Sequence, residues 1–227
     1  MLGLRLSQIT VTVEGLTAPV LAIDDLAIAP GEQLAVTGPS GSGKSTLVNV
    51  VTGLAKPASG RVAWGETDIA CLGEGARDRW RSDNVGLVMQ DFHLFAGLSA
   101  LDNVLLPARL RHRAGPDKAA RAETLLARVG IGRPAQDVAT MSRGEQQRVA
   151  VARALLASPG VIVADEPTAS LDRESGEDVI GLLLALAAEE RATLIAVSHD
   201  DRLIARMQRV VALRDGRIVD DRKGDAA

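Results

Sequence analysis

A glycine-rich segment that ends in a lysine and a serine is the first group of residues whose types and spacing indicate chemistry. It reads Gly-Pro-Ser-Gly-Ser-Gly-Lys-Ser over 38–45 and matches the pattern G-x-x-x-x-G-K-[ST] of phosphate-binding loops. Glycines let backbone N–H groups turn inward around phosphate oxygens, and a following helix N-terminus adds partial positive charge. The residues expected to contact a nucleotide are Gly38, Pro39, Ser40, Gly41, Ser42, Gly43, Lys44, Ser45 and Thr46.

The lysine and the serine supply the charged and metal-binding groups of such a loop. Lys44 is expected to reach the β- and γ-phosphates, and the Ser45 hydroxyl to bind Mg²⁺. The loop lies between an apolar run, 34–37, and a helical pattern over 44–51, which is the strand, loop and helix context that the motif needs. The alternative, a Ser/Gly-rich loop with a chance lysine, is expected in roughly one such chain in a few hundred.

An acidic pair stands where a strongly apolar run ends. Residues 161–164 read Val-Ile-Val-Ala and are followed by Asp165 and Glu166, the position at which α/β proteins expose ligand-binding groups. We expect Asp165 to hold Mg²⁺ and Glu166 to polarise an attacking water as a general base. Taken alone, the pair is equally compatible with an ordinary strand end, and the phosphate loop earlier in the chain favours the functional interpretation.

Two further polar residues, each near the end of an apolar run, are candidates for the same site. Gln90 follows residues 85–89, and its amide is expected to contact Mg²⁺ and the attacking water. His199 comes two residues after the run 193–197, and its imidazole is expected to reach the γ-phosphate. Each residue alone is more often an ordinary loop or surface residue, so the interpretation depends on the loop and the acids.

The segment 142–147 reads Ser-Arg-Gly-Glu-Gln-Gln and precedes an amphipathic helical pattern. Ser142 and Glu145 have the S-x-x-E spacing of a capping box. The same helix N-terminus is an anion site, to which Ser142, Gly144 and Glu145 are expected to contribute. Because the phosphate loop already serves the chain's own nucleotide, we expect this anion to be the nucleotide of a second copy, which implies a head-to-tail dimer closed by ATP.

Apolar runs and turn residues elsewhere predict the elements that hold these groups. Alternation near the N-terminus favours short antiparallel strands that end at the turn Pro30–Gly31, and later apolar runs favour buried strands separated by helical segments. The predicted strands are 4–7, 9–13, 20–23, 34–37, 85–89, 161–164 and 193–197, with a closing hairpin over 210–219. This order predicts an α/β fold with a parallel sheet and an antiparallel β layer.

The pattern changes to helices between residues 90 and 141. Ser99 and Asp102 fit a capping box, and a helix is predicted over 117–129 with Gly130 after it. We interpret 90–141 as a helical subdomain inserted into a single domain of 227 residues, whose core comprises 1–89 and 142–227.

Bulk properties exclude several classes of protein. The net charge of −3 and the pI of about 5.7 provide no basic field for nucleic acid, so no nucleic-acid partner is expected. The longest apolar run, 179–188, is too short to span a membrane, and the N-terminus lacks a secretory pattern. The single cysteine, Cys71, forbids an internal disulfide and agrees with a reducing cytoplasm.

Together the motifs resemble the complete set of ABC ATPases over nearly the whole chain. The matching positions are 38–45, Gln90, 142–147, Asp165–Glu166, Ser170–Asp172 and His199. The resemblance implies a P-loop NTPase fold and Mg²⁺-dependent hydrolysis of ATP. It implies catalytic roles for Glu166, His199, Gln90 and Lys44, and metal binding by Ser45, Gln90 and Asp165.

The resemblance also implies partners and a location. Two copies of the chain would sandwich two ATP molecules, and the helical lobe would dock on an integral-membrane permease at the cytoplasmic face of the inner membrane. The segments 72–74, 77–81, 85–92 and 101–107 are similar to the lipoprotein-release and macrolide-export branch. In that branch the cassette drives a transporter or a mechanotransmission complex.

The sequence departs from the family pattern at two positions. The family usually stacks adenine on an aromatic residue near the end of the first hairpin, whereas this chain contains no tyrosine and offers about Val13 there. The family signature is Leu-Ser-Gly-Gly-Gln, whereas Met141 precedes Ser142 here and Arg143 replaces the first glycine. Two roles for Arg143 stay open: it points into solvent, or it adds positive charge facing the partner's ATP.

Two other functions compete with the transporter interpretation. An ABC-type ATPase acting on DNA or ribosomes would need a long coiled-coil arm or basic extensions, and the stretch between Gln90 and Ser142 leaves no room for such an arm. In a phosphate-loop kinase, the acids, the signature segment and His199 would have no functional role.

Overall fold

The computed structural model describes residues 1–224, which form two β-sheets and a layer of helices. The strands are β1 (Leu4–Val11), β2 (Leu21–Ile28), β3 (Gln33–Thr37), β4 (Ser59–Trp64), β5 (Thr67–Asp68), β6 (Val85–Val88), β7 (Val161–Asp165), β8 (Thr193–Val197), β9 (Arg209–Arg214) and β10 (Arg217–Lys223). The α-helices are α1 (Lys44–Val51), α2 (Glu74–Asn84), α3 (Ala100–Leu110), α4 (Pro116–Arg128), α5 (Arg143–Leu155), α6 (Arg173–Glu189) and α7 (Asp201–Ile204), and Val138–Thr140 form a 3-10 turn.

The larger sheet contains the strands that carry the predicted site. Its order is β10-β9-β3-β8-β7-β6, and all neighbours are parallel except the closing hairpin of β9 and β10. The smaller sheet has the antiparallel order β2-β1-β4-β5. The predicted α/β fold with an antiparallel layer is therefore confirmed, as is the closing hairpin.

Alternate residues of the parallel strands face two different layers. In β3, Leu34 and Val36 pack with α1 and the antiparallel sheet, whereas Ala35 packs with the helices α3 to α6. The same division occurs in β7, where Val161 and Val163 face one layer and Ile162 faces the other. Because both faces are covered, these strands are continuous apolar runs, and only their ends are free to present polar groups.

The N-terminal strand differs from the prediction. Runs 4–7 and 9–13 belong to one strand, β1, with a register shift between Ser7 and Thr10 relative to β4. Gln8 at this shift has a φ of 52°. A bulge of this kind inserts one residue, so the buried set changes from Leu4 and Leu6 to Ile9 and looks like two strands in the sequence.

Three elements between α1 and β6 were not predicted. β4 and β5 complete the antiparallel sheet, and α2 covers its end, where Trp80 stacks on Trp64 at 6.4 Å between ring centroids. α2 contains no buried residue, and its arginines Arg77 and Arg81 donate to the carbonyl of Gly53 at the end of α1. An exposed, arginine-rich helix has no apolar face, which is the signal that periodicity detects.

The stretch 90–141 contains only helices, as predicted, with α4 beginning one residue earlier at Pro116. The capping box predicted at Ser99 and Asp102 is only half formed. Ser99 Oγ accepts from the Asp102 N–H, as predicted, but the Asp102 carboxylate accepts from the Ser99 hydroxyl and not from the Ser99 N–H. Within residues 1–224, no helix combines the length and apolarity that crossing a membrane demands.

Candidate functional site

A cavity of about 620 Å³ opens at the carboxyl ends of β3, β7 and β8. Its lining consists of Val20, Gly38, Pro39, Ser40, Gly41, Gly43, Lys44, Ser45, Thr46, Gln90, Asp165, Glu166 and His199. The fold thus brings together nearly all the candidates for the first nucleotide site. Ser42 is buried beneath the loop instead, and its Oγ has no hydrogen-bond partner within residues 1–224. Val13 is half exposed and does not line the cavity. The residue of the β1–β2 loop that does line it is Val20.

The phosphate loop requires glycine at its tightest point. Gly38 has a φ of +144°, and a Cβ there would lie 2.2 Å from the carbonyl oxygen of Leu213. Gly43 has a φ of +101° and precedes α1 without a side-chain cap, which leaves first-turn N–H groups free for an anion. The Lys44 ammonium donates to the carbonyl oxygens of Gly38 and Pro39, each at 2.8 Å, so it lies against the loop.

The two acids occupy different environments. Asp165 is the last residue of β7, and burial, followed by the neighbouring Glu166 charge, raises its pKa while Lys44 opposes the shift. Glu166 has a φ of 48°, and its N–H continues the sheet by donating to the Val197 carbonyl at 2.8 Å. This turn directs consecutive carboxylates into one cavity.

His199 is paired with Glu166. Its Nδ1 lies 2.9 Å from the Glu166 carboxylate, and this hydrogen bond is the main cause that raises the pKa of the imidazole. The His199 side chain is 77% exposed, so the pair lies at the mouth of the cavity. A carboxylate and an imidazole are therefore in contact beside the phosphate loop, an arrangement that could accept and hold a proton.

A network that sequence reasoning missed fixes the loop after His199. Asp200 accepts hydrogen bonds from the Arg202 side chain and from Thr168, and the Arg202 contact is the main cause that lowers its pKa to about 2. Arg202 also donates to the carbonyl of Arg173 at the start of α6. The only sequence signal for this network was Asp200 at the position that caps α7. Aspartate is common at helix starts, so this signal does not predict the contacts with Thr168 and Arg202.

The cavity also fits a magnesium ion. Ser45, Gln90 and Asp165 present a hydroxyl, an amide oxygen and a carboxylate, all of which are hard oxygen donors. The raised pKa of the half-buried Asp165 means that its negative charge is incompletely compensated, and a cation beside it would supply that compensation. These three residues are the ones that could hold Mg²⁺.

The signature segment lies outside this cavity. Ser142 caps α5 by accepting from the Glu145 N–H at 3.2 Å, and the Glu145 carboxylate accepts from the Ser142 N–H at 2.9 Å, which lowers the pKa of Glu145. The predicted capping box is thus fully formed. Gly144 is buried against α6, where an added Cβ would lie 3.1 Å from the hydroxyl of Ser175. None of Ser142, Gly144 and Glu145 lines the nucleotide cavity of the same chain.

Arg143 has a contact that neither sequence-based role included. Its guanidinium lies over the ring of Phe92, 5.0 Å from the centroid, in the geometry of a cation–π interaction. The residue is exposed, but it does not extend freely into solvent. The other segment weighed from the sequence, Ser170–Asp172, ends in the predicted cap: the Asp172 carboxylate accepts from the Ser175 N–H at 2.9 Å at the start of α6.

Comparisons with known proteins agree with this arrangement. A family model described as ABC transporter matches residues 21–169. The lipoprotein-releasing system ATP-binding protein LolD of Anaeromyxobacter dehalogenans is 45% identical over 89% of this chain and 86% of its own length. The macrolide export ATP-binding/permease protein MacB 1/2 of Paracoccus denitrificans is 45% identical over 91% of this chain, which spans only 31% of that protein.

A solved structure extends the likeness to the whole fold. The dimeric, post-hydrolysis ATP-binding cassette MJ0796 with bound ADP and phosphate has a TM-score of 0.87 and 34% identity, and the match covers 97% of this chain and 98% of that one. Both the family model and LolD match most of this chain at levels that establish common descent. The chain is therefore a member of the ABC transporter family and an ATP-hydrolysing cassette.

Proposed function

We propose that this ATPase acts as a head-to-tail homodimer that drives a membrane permease, with hydrolysis carried out by the residues of the strand-end cavity. The observation that carries the proposal is the division of the motifs. The phosphate loop, Asp165, Glu166 and His199 line one cavity, whereas the signature residues lie on a separate helix end.

In the proposed reaction, the terminal phosphate of ATP lies between the phosphate loop and the acids. Lys44 exchanges its loop carbonyls for phosphate oxygens and balances their charge, and the N–H groups of the loop and of α1 hold the rest of the chain of phosphates. Glu166 accepts a proton from the attacking water, and His199 orients that carboxylate through their 2.9 Å contact. Mg²⁺ held by Ser45, Gln90 and Asp165 would neutralise charge on the β- and γ-phosphates.

The second half of each site is proposed to come from the partner subunit. Ser142, Gly144 and Glu145 form a capped helix start, in which the Glu145 N–H donates to Ser142 and the N–H groups of Arg143 and Gly144 have no partner inside the helix. Such a helix end attracts phosphate but cannot reach the cavity of its own chain. A related cassette is dimeric with ADP and phosphate bound, which supports the same assembly for this chain.

We also infer that residues 90–141 form an inserted lobe and that the permease docks beside it. A groove of about 750 Å³ separates this stretch from β6 and α5, and Phe95 and Leu110 are exposed along it. Arg111 and Arg113 at its rim share one acid, Asp83, which leaves net positive charge. The groove therefore suits a permease segment with apolar and acidic side chains. The macrolide-export relatives are named ATP-binding/permease proteins, which supports a permease as the occupant and a peripheral position at the cytoplasmic face.

The replacement Glu166→Gln tests the dimer. It removes the proposed base but keeps the side-chain volume and a hydrogen-bonding atom near His199, so ATP binding should persist while turnover falls by about 10²-fold or more. Gel filtration with Mg²⁺ and ATP should show a stable dimer of Glu166→Gln and none of the exposed-surface control Glu123→Gln. A Glu166→Gln protein that elutes only as a monomer under these conditions contradicts the head-to-tail dimer.

The permease docking is tested separately by placing a charge at an apolar position of the groove. The chain is co-expressed with a candidate membrane permease, and Leu110→Asp should abolish co-purification because it places a carboxylate at an apolar contact. The control Leu16→Asp alters another exposed leucine, on the β1–β2 loop, and should leave co-purification unchanged. If Leu110→Asp still co-purifies with the permease, the groove is not the docking site. That result would not contradict the conclusion that the chain hydrolyses ATP.

A further inference from the structure

The loop that follows β6 has an unusual backbone next to the nucleotide cavity. Phe92 and His93 are consecutive non-glycine residues with φ of 57° and 50°, both in the left-handed region. Conformations of this kind are unfavourable for residues with a Cβ and persist where the surroundings determine them. Gln90, which lines the cavity, lies two residues before Phe92. The Phe92 N–H donates to the Met89 carbonyl at 3.1 Å, so Gln90 lies inside a turn that Phe92 closes.

Both ends of α5 contact this loop. Near the C-terminus of the helix, the Arg153 guanidinium donates to the carbonyl oxygens of Phe92 and His93, each at 2.5 Å, and burial lowers the pKa of Arg153. At the N-terminus, the Arg143 guanidinium lies on the Phe92 ring, which is only 5% exposed. The buried ring is thus covered on one face by the first residue of the signature helix.

The Phe92 ring is the contact that accounts for the position of Arg143. Within residues 1–224, Arg143 has no carboxylate within salt-bridge distance; Glu145, two residues on, is occupied in the capping box. A cation in the first turn of a helix is disfavoured by the helix dipole, so a favourable contact is needed to keep it there. A ring face supplies that contact without a negative charge, which would repel a nearby phosphate.

We propose that Arg143 is a positioning residue that couples the Gln90 loop to the signature helix of the same subunit. The proposal rests on the proposed function, in which Gln90 serves the chain's own nucleotide and Ser142 serves the partner's. When the Gln90 loop moves around one nucleotide, Phe92 moves with it, and the stacked guanidinium transmits this displacement to the helix start one residue from Ser142. A glycine at position 143 has no side chain with which to make this connection.

The test is a double-mutant cycle read out by the Mg²⁺ concentration at half-maximal ATPase activity, because Gln90 is one of the proposed Mg²⁺ ligands. Arg143→Gly and Phe92→Leu should each raise this concentration about three- to tenfold, the double variant no more than either one, and Arg143→Lys should restore most of the loss. The control Arg191→Gly replaces an exposed arginine in a turn with a φ of 53°, where glycine fits, and should behave like the unaltered chain.

Additive effects in the double variant, or unchanged Mg²⁺ dependence in Arg143→Gly, overturn the coupling. An effect of Arg143→Gly that vanishes at high salt and is absent from Phe92→Leu would assign the arginine to the partner's nucleotide instead.

Hydrogen exchange of residues 91–95 in the isolated chain is a second measurement, and it does not depend on ATPase activity. We expect about three- to tenfold faster exchange in both single variants and recovery in Arg143→Lys, and equal rates in all variants would reject the proposal. Absence of Mg²⁺-dependent hydrolysis by the unaltered chain would instead count against the proposed function.

Discussion

The nucleotide cavity and the signature helix end, which is proposed to bind the partner's phosphates, are built in opposite ways. The cavity is concave and draws its lining from the β1–β2 loop, the phosphate loop, Gln90 and two further strand ends. The signature end is a single helix start, and the capping box between Ser142 and Glu145 completes it within four residues. The first depends on contacts between segments that are distant in the sequence, and the second depends mainly on its own helix.

This difference predicts how each region responds to substitutions. A cavity assembled from distant segments needs connecting networks, such as the one in which Asp200 joins Thr168 to Arg202. A capped helix end keeps its shape when its neighbours change, and it is complete as a structure even when it is only half of a binding site. Changes in the cavity should therefore affect fold and chemistry together, whereas changes at the helix end can separate them.

The largest expected effect comes from Lys44→Ala in the cavity. Removal of the ammonium leaves the phosphate charge unbalanced, so kcat/KM for ATP should fall by about 10²- to 10³-fold. A steady-state phosphate-release assay measures it, and Lys56→Ala, which alters an exposed lysine outside the cavity, should stay within about twofold of the unaltered chain. Near-normal activity of Lys44→Ala would refute the placement of the γ-phosphate.

A smaller loss of activity, without a loss of stability, is expected for Ser142→Asp at the helix end. Aspartate is as good a helix cap as serine, so the free energy of unfolding should change by less than about 0.5 kcal/mol. In the proposed dimer its negative charge would face the partner's phosphates, so kcat/KM should fall at least about tenfold. Urea unfolding and ATPase assays separate the two readings, and full activity of this variant would leave Ser142 with the capping role alone.

Mixing the two variants sharpens the comparison. A mixed dimer of Lys44→Ala and Ser142→Asp contains one intact site, formed by the loop of one subunit and the signature of the other. Equal mixing should restore up to roughly a quarter of the normal activity, since half of the dimers are mixed and each has one working site. Activity no greater than the sum of the separate proteins would contradict the head-to-tail arrangement.

The stability of the two regions should also differ. Asp200→Asn weakens the charged hydrogen bonds to Arg202 and should lower the free energy of unfolding by about 1 to 2 kcal/mol at pH 7. Glu145→Gln keeps a capping box and should lower it by less than about 0.5 kcal/mol. Because the folded state lowers the pKa of Asp200 to about 2, its contribution is complete above about pH 4 and disappears as the pH falls through about 2. Urea unfolding at pH 7 and pH 3 measures the free energy of unfolding of both variants. Equal losses in Asp200→Asn and Glu145→Gln would contradict the expected difference between the two regions.

The smallest effect is a change in the titration of His199. The Glu166 hydrogen bond raises the imidazole pKa above its ordinary value of 6.5, so the stabilisation by the pair is complete below that value and is lost as the pH rises through the higher, folded-state pKa. In Glu166→Gln the imidazole resonance in NMR should titrate closer to 6.5. An unchanged His199 titration would show that Glu166 does not hold the imidazole in solution.

Sequence reasoning succeeded where a short segment determines its own structure. The phosphate loop, the buried strands β7 and β8 and the cap at Ser142 follow from local residue types, and the fold places them as predicted. It failed where structure depends on distant partners. The single strand β1 was divided in two because the bulge at Gln8 is set by its pairing with β4, and α2 escaped notice because it buries no residue.

The sequence by itself determined that the chain binds and hydrolyses ATP, because phosphate chemistry requires particular residues at fixed spacing within contiguous motifs. Tertiary structure alone decided which motifs share a cavity, since parallel strands bring the ends of β3, β7 and β8 together from distant positions in the chain. It also decided the surroundings of Arg143, which lies on Phe92 from a loop 51 residues earlier. A contact across such a separation depends on how the helices pack, and no local pattern encodes it.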